Sequence, residues 1–188
     1  MGVLRRLLTG GLGRPPWDLP GRRQEERFLL LVRAGATGGA GGGLSVEGRA
    51  QAEAMADALA ALGPLPVTVA PERASVETAA ALEDRWDCRA SVEPALAGLD
   101  LPAGSRWSKL GADAQAWRRD VLAAVGALRA DGVVVAGPEV VAAVVGAATG
   151  DDAVDCAQVR PGSRTTLRLE PGGLRLLRLG LQGASDAR

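Results

Sequence analysis

One stretch of the sequence combines the residue types that bind phosphate in proteins. Residues 29–38 read LLLVRAGATG, so an apolar run leads into an arginine and a glycine-rich loop. Arginine holds phosphate oxygens in a planar fork, and glycine lets backbone N–H groups approach an anion closely. Ser45 opens the next predicted helix, whose N-terminus also favours an anion. The candidate anion-binding residues of this loop are therefore Arg33 and Thr37.

A covalent reaction at this loop would need a nucleophile or a general base, and neither is present there. Ala34 stands between Arg33 and Gly35 and carries no reactive atom. The chain contains no histidine, which excludes histidine bases, histidine metal ligands and phosphohistidine intermediates. Isoleucine, asparagine and tyrosine are absent too, as a very GC-rich gene would explain. Such a bias should not remove a histidine that catalysis needs.

Metal sites and cofactors are not indicated. Asp151, Asp152 and Asp155 cluster just before Cys156 and could hold a hard cation, but their spacing does not match a calcium-binding loop. A solvated loop is the simpler interpretation. Cys88 and Cys156 are the only cysteines and cannot form a structural zinc site alone. We expect no metal and no cofactor.

Apolar runs and helical patterns alternate along the chain and would position this loop in a sheet. Strands are predicted at 27–35, 66–70, 90–93 and 132–136, and helices at 45–62, 74–86, 111–130 and 140–148. Residues 164–169 and 174–179 flank Glu-Pro-Gly-Gly, which predicts an antiparallel hairpin. The pattern is typical of an α/β three-layer α/β/α sandwich, with a mostly parallel sheet and this C-terminal hairpin. Ligands bind at the carboxyl ends of the strands in such sheets.

The length of 188 residues predicts one domain over residues 28–180, with a basic Pro/Gly-rich arm at 1–27 and a tail at 181–188. The arm holds six arginines against three acids, and residues 160–188 hold six against two. These basic ends could favour an anionic partner, or the arginines simply lie on solvated faces. Trp17 is the single aromatic residue among them, and no known nucleic-acid motif accompanies them, which argues against nucleic acid.

The arm carries an apolar cluster formed by Pro15, Pro16, Trp17 and Leu19. We expect Trp17 to dock on the body of the protein or on a partner, and Arg175 and Arg178 of the hairpin are further candidate partner contacts. No apolar run approaches the roughly 20 residues of a membrane span. We expect a cytoplasmic protein, or an organellar one if residues 1–17 act as a targeting segment.

Several loops together resemble the histidine phosphatase superfamily, which has the phosphoglycerate mutase-like fold. Residues 44–52, LSVEGRAQA, are similar to the family's Leu-Thr-x-x-Gly-x-x-Gln-Ala helix opening. Residues 33–35 fall on its Arg-His-Gly motif, and residues 70–78 fall on Ser-Pro-x-x-Arg-Ala-x-Gln-Thr. The resemblance covers about residues 28–179, and the short loops look more like the small phosphohistidine phosphatase branch.

The resemblance implies a chemistry whose residues this chain has largely replaced. In the family a histidine attacks phosphorus, two arginines and a second histidine hold its oxygens, and a carboxylate protonates the leaving group. Four of these positions hold alanine or glycine in this chain: Ala34 for the nucleophile, Ala74 for an arginine, Gly98 for the acid and Gly137 for the second histidine. Arg33 is in place, and Arg73 stands one residue from Ala74 as a further candidate anion contact.

Two functions remain open from the sequence. The first is a catalytically inactive pseudoenzyme that acts as an interaction, scaffold or accessory subunit for a protein partner, with small residues leaving an open cleft. The alternative is a phospho-ligand-binding sensor, or a phosphatase-family enzyme with altered chemistry, that uses Arg33 and the glycine-rich loop. In the first case, Arg33 would be satisfied by an acid such as Glu72 or Glu139 near the same rim.

Overall fold

A six-stranded mixed sheet forms the centre of the protein in a computed structural model that describes residues 27–38, 41–102, 104–154 and 159–181. The order across the sheet is β3-β2-β4-β1-β5-β6. The first four strands in the chain run parallel to one another. Strand β5 runs antiparallel to β1, and β6 runs antiparallel to β5. The predicted sheet with its C-terminal hairpin is therefore confirmed. The strands are β1 (Arg27–Arg33), β2 (Val67–Val69), β3 (Ser91–Val92), β4 (Gly132–Ala136), β5 (Arg164–Glu170) and β6 (Gly173–Leu181).

Four α-helices in the described part of the chain cover the two faces of the sheet. They are α1 (Val46–Leu59), α2 (Arg73–Trp86), α3 (Ala112–Gly126) and α4 (Pro138–Thr149). Successive residues of a strand point to opposite faces, so β1 contributes to two cores. Leu30 and Val32 pack with α1 and α2, whereas Leu29 and Leu31 pack with α3 and α4. The three-layer prediction is thus confirmed, and none of these helices is long and apolar enough to cross a membrane.

The ends of two helices show where local sequence patterns predict a helix boundary and where they do not. The Ser45 hydroxyl accepts a hydrogen bond from the Gly48 N–H at 2.9 Å and caps α1, as its residue type predicts. Helix α3 ends at Gly126, four residues before the predicted end. Its apolar spacing continues to Leu128, which still packs on the core, but the backbone must turn before it enters β4.

Strand β6 is an edge of the described sheet and does not pair regularly with β5. The register shifts between Arg164 and Thr166 and again between Thr166 and Leu167. Gly180 has a φ of 63°, in the left-handed region. Bulges of this kind twist an edge strand and make it a poor template for another strand.

Candidate functional site

The loops after the parallel strands meet at the carboxyl end of the sheet, where the fold predicts a site. The Ala34 N–H donates to the Ala136 carbonyl oxygen at 2.9 Å and joins the loops after β1 and β4. The Ala70 N–H donates to Val135 at 2.9 Å and brings in the loop after β2. The motifs assigned from the sequence therefore share one region.

Two glycines allow the loop after β1 to cross the start of α1 at very short range. A Cβ atom on Gly48 would lie 2.0 Å from the Ala36 carbonyl oxygen, and one on Gly35 would lie 2.4 Å from the Gly48 oxygen. The Ser45 N–H donates to the Ala36 oxygen at 2.8 Å, and the Ala36 N–H donates to Gln51 Oε1 at 2.9 Å. The residues that resemble the family's helix opening therefore hold the backbone together in this chain.

Thr78 has a similar structural role inside the site. Its side chain is fully buried, and its Oγ1 accepts from the Gly35 N–H at 3.0 Å and donates to the Ala74 carbonyl at 2.7 Å. This hydroxyl satisfies a buried backbone donor that no strand pairing reaches. The threonine of the second motif thus fixes the loop that carries Ala34.

We expect Thr78→Val to lower the free energy of unfolding by about 1–3 kcal/mol, because it leaves the buried Gly35 N–H without an acceptor at nearly unchanged volume. Urea denaturation followed by circular dichroism measures the difference. Thr68→Val, on strand β2 and only partly buried, is the matched control and should change stability little. Equal losses in the two variants would contradict this role for the Thr78 hydroxyl.

The positions of the nucleophile and the second arginine lie in a small apolar cluster. Ala34 is 7% exposed and Ala74 is 6% exposed, and both pack with Leu44 and Ala52. The small residues therefore leave no open cleft at these two positions, in contrast to the expectation from the sequence. The cleft is filled because the loop after β1 returns to α1 and brings Leu44 over it.

The positions of the acid and the second histidine face two carboxylates instead. A Cβ on Gly98 would lie 3.3 Å from Glu72 Oε1 and 3.4 Å from Glu139 Oε2, and one on Gly137 would lie 3.0 Å from Glu139 Oε2. The Gly98 N–H donates to Glu72 Oε1, while Glu72 Oε2 is buried without a hydrogen-bond partner. Glu72 is the N-cap of α2 and Glu139 lies in the first turn of α4. Each carboxylate therefore complements a helix end that could otherwise attract an anion.

Arg33 has the contacts of a structural residue. Its Nη1 donates to the Val159 carbonyl oxygen. Its backbone N–H donates to Ser163 at 3.0 Å, and its carbonyl accepts from Gly162 at 3.0 Å. The side-chain partner is thus a main-chain carbonyl rather than the expected Glu72 or Glu139. All three contacts fasten the turn that leads into β5.

The other two candidate anion contacts lie at the rim of the glycine-rich loop. Arg73 Nε pairs with Glu77 Oε1 at 2.7 Å and lies 3.1 Å, through Nη1, from where a Cβ on Gly41 would be. Glu77 Oε2 accepts from the Leu44 N–H at 2.7 Å; this bond, then Arg73, holds the pKa of Glu77 below its usual value. Thr37 is exposed and forms an antiparallel bridge with Leu44. Arg73 and Glu77 therefore hold the glycine-rich loop against α2, and the binding of an anion by Arg73 stays a prediction.

Two stacked tryptophans hold the loop that contains Gly98. The Trp117 Nε1–H donates to the Ala97 carbonyl at 2.6 Å, and its ring stacks on Trp107 with centroids 6.0 Å apart. Trp107 is fully buried and is covered by the Arg118 guanidinium at 4.7 Å. The rigid platform fixes Gly98 beside the two carboxylates.

The remaining candidates fall outside this region. Arg175 and Arg178 lie on β6, whereas Trp17, Asp155 and Cys156 lie outside the described residues. Asp152 accepts hydrogen bonds from the Ser108 hydroxyl and N–H, which lower its pKa. Among the residues that the structure describes, no group of three or more His, Cys, Asp or Glu side chains could hold a metal ion.

Sequence reasoning did not identify the pair formed by Glu72 and Glu139. The sequence alone offers both only as partners of Arg33, although each stands at the start of a helix that follows a parallel strand. Glu72 follows β2 and Glu139 follows β4, and these two strands are neighbours in the sheet. This placement is the feature from which the pair could be predicted.

Comparisons with known proteins agree with the fold described above. Residues 29–120 match the model of the histidine phosphatase superfamily, branch 1. A search with the sequence finds no curated protein that matches significantly. A solved mycobacterial glucosyl-3-phosphoglycerate phosphatase is 20% identical, with a TM-score of 0.63 over 84% of this chain and 100% of that chain.

Two further solved structures have the same fold. Mycobacterial hydrolase 2 is 22% identical, with a TM-score of 0.64 over 84% of this chain and 92% of its own. A candidate alpha-ribazole-5′-P phosphatase from Escherichia coli is 15% identical, with a TM-score of 0.67 over 85% of this chain and 99% of its own. At these identities the similarity establishes the fold alone. The chain is therefore similar to the histidine phosphatase superfamily over residues 29–120, just under half of its length, and it shares the fold of these solved phosphatases.

Proposed function

We propose that this chain is a catalytically inactive member of the superfamily that acts as an interaction, scaffold or accessory subunit. The observation that carries the proposal is the pair of carboxylates, Glu72 and Glu139, beside Gly98 and Gly137. The resemblance assigns these two glycine positions to the acid and the second histidine of a phosphatase.

The chemical argument concerns the missing nucleophile. Ala34 has no atom that can attack phosphorus, so the covalent mechanism cannot begin at that position. Loss of a single donor to the transferring group typically slows catalysis by about 10²–10³. Two such donors are replaced by Ala74 and Gly137, so the site lacks both the reaction and its electrostatic support.

The electrostatic argument concerns the affinity for phosphate. A carboxylate about 4 Å from an anion repels it by about 1 kcal/mol in water and about 4 kcal/mol near a protein surface. Arg33 is the one family arginine that remains in place. The guanidinium also already donates to Val159. These terms favour exclusion of phosphate over a sensor function.

A protein partner is supported by a groove between α1 and α2. It has a volume of about 400 Å³, an alanine floor and a charged rim. An apolar centre with a polar rim is the usual arrangement at protein contacts. Its lining residues are Leu44, Arg49, Ala52, Glu53, Ala56, Glu77, Ala80, Ala81, Asp84 and Arg85.

The test is turnover of p-nitrophenyl phosphate and of a phosphohistidine peptide by the purified protein. We expect rates equal to buffer alone, because no nucleophile is present. Turnover that Arg33→Ala abolishes, in a variant shown to be folded, would sink the proposal.

Calorimetric titrations with phosphate and sulfate at low salt distinguish the inactive subunit from the alternative, a phospho-ligand sensor. We expect no heat of binding. A ligand at 100 times its dissociation constant would add about 2.7 kcal/mol of stability. A thermal shift of that kind with a phosphorylated metabolite, lost in Arg33→Ala, would favour the sensor.

A further inference from the structure

The groove between α1 and α2 is built from one face of each helix. Its walls are residues 49–56 of α1 and residues 77–85 of α2, which contribute side chains three or four positions apart. This spacing places side chains one above the other on a helix surface. Each wall spans two helical turns, or about 11 Å. The groove is therefore long enough to contact two turns of another helix.

The centre of the groove is apolar and lies close to the two backbones. Ala52 and Ala56 are only 2% and 1% exposed, and they form the floor together with Ala80 and Ala81, which are half-buried. Side chains this short let another helix approach to the separation of roughly 8–10 Å at which helices pack. The floor therefore fits the apolar stripe of a third helix.

Two exposed valines extend the apolar surface beyond one end of the groove. Val46 is 78% exposed and lies one turn before Arg49 on α1, and Val76 is 42% exposed and lies one turn before Ala80 on α2. Both helices begin after parallel strands, so the two valines lie at the same end of the groove. Exposed apolar residues that continue an apolar groove indicate a contact surface for another protein.

The positive charges at the rim of the groove already have partners within the chain. The Arg49 Nη1–H donates to the Leu44 carbonyl oxygen at 2.9 Å. Arg85 forms an ion pair with Asp57. Neither guanidinium is therefore the main charge that the groove offers to a partner.

Two negative charges at the rim have no such partners. Glu77 is held by the Leu44 N–H and by Arg73. Glu53 and Asp84 line the groove and are exposed, and within the described part of the chain neither takes part in a hydrogen bond or an ion pair. These carboxylates repel the phosphates of nucleic acids and lipids and attract lysine and arginine side chains.

We propose that the groove binds an amphipathic helix of a partner protein, with the apolar stripe of that helix on the alanine floor and its lysine or arginine side chains beside Glu53 and Asp84. A helix that lays its apolar face into a groove is a common mode of peptide recognition. The inference rests on the proposed function and deepens it, because it states the chemistry of the partner that an interaction subunit would bind.

The test measures the binding of a fluorescein-labelled model peptide by fluorescence anisotropy at low salt. The peptide has about 14 residues, or four helical turns. Its leucines follow the helical spacing of an apolar stripe, and its other residues are lysine and alanine. A second peptide has glutamate in place of lysine. We expect the lysine peptide to bind at least roughly tenfold more tightly than the glutamate peptide.

Substitutions in the groove test the charges and the floor separately. Glu53→Lys combined with Asp84→Lys should reverse the preference, so that the glutamate peptide binds more tightly. Asp113→Lys combined with Asp120→Lys changes the net charge equally at exposed positions of α3, across the sheet, and should keep the preference for lysine. Ala80→Gln places a larger polar side chain on the floor and should weaken the binding of the lysine peptide several-fold. Circular dichroism shows whether each variant is folded.

Equal affinity for the two peptides, or a preference that the charge reversal leaves unchanged, would overturn the proposal. A dimer that Ala80→Gln dissociates in sedimentation would also overturn it, because a second copy would then occupy the groove. If the protein neither binds the peptides nor turns over p-nitrophenyl phosphate, this inference fails while the inactive subunit stands. Turnover that Arg33→Ala abolishes would refute the proposed function, and this inference with it.

Discussion

Gly48→Ala is expected to lower the free energy of unfolding by about 3 kcal/mol or more. The added Cβ would lie 2.0 Å from the Ala36 carbonyl oxygen and 2.9 Å from the Ala36 nitrogen. Both atoms belong to the backbone, so no side-chain rotation relieves the contact. The loop after β1 would have to separate from α1, which also breaks the hydrogen bond from Ser45 to Ala36. Urea denaturation followed by circular dichroism measures the loss.

Gly126→Ala is the matched control for this substitution. It adds the same methyl group at the end of α3, where the new Cβ would have no atom within 4 Å beyond its chain neighbours and the nearby backbone of its own helix. Glycine costs a helix roughly 0.5–1 kcal/mol relative to alanine, so this variant should be slightly more stable. Similar stabilities of the two variants would show that the loop after β1 can move away from α1 without lowering the free energy of unfolding.

Ala34→His is expected to lower the free energy of unfolding by about 1–3 kcal/mol and to give no phosphatase activity. The imidazole would enter a buried cluster that Leu44, Ala52 and Ala74 already fill. Introducing the missing histidine alone would therefore produce an overpacked site that still has Glu72 and Glu139 beside it. Urea denaturation and p-nitrophenyl phosphate turnover measure the two effects.

Ala50→His, on the exposed side of α1, is the control for the cost of histidine in this chain. It should be destabilised by less than about 0.7 kcal/mol, which is the range of helix propensities. A stable and active Ala34→His variant would show that the pocket is open and that catalysis needs only its nucleophile. It would contradict the filled cluster and the proposed function together.

The sequence predicted the sheet well where burial is simple. β1 and β4 lie in the middle of the sheet, and both faces of each strand are covered, so a continuous apolar run was a sufficient signal. The end of α3 was harder to predict. Leu128 keeps the apolar spacing and packs on the core after the helix has ended, so periodicity could not separate helix from turn.

The site could be located from the sequence, but its interior could not. The motif positions predicted which loops meet, because the carboxyl ends of parallel strands share one edge. Whether small residues leave a cavity depends on side chains from elsewhere in the chain. Leu44 covers Ala34 only because the loop closes through the Gly38 N–H and the Gly43 carbonyl at 3.0 Å. The meeting of Glu72 and Glu139 likewise depends on strand order.

The contacts of Arg33 have a consequence for inferring activity from sequence signatures. Its side chain donates to Val159 while its backbone bonds Gly162 and Ser163, so the arginine side chain supports the entry to β5 through one hydrogen bond whether or not a substrate exists. A signature that scores the arginine would count a folding requirement as a catalytic one. For this chain, residue 34 is the better indicator of activity, because the resemblance places the attacking histidine there and the chain has alanine.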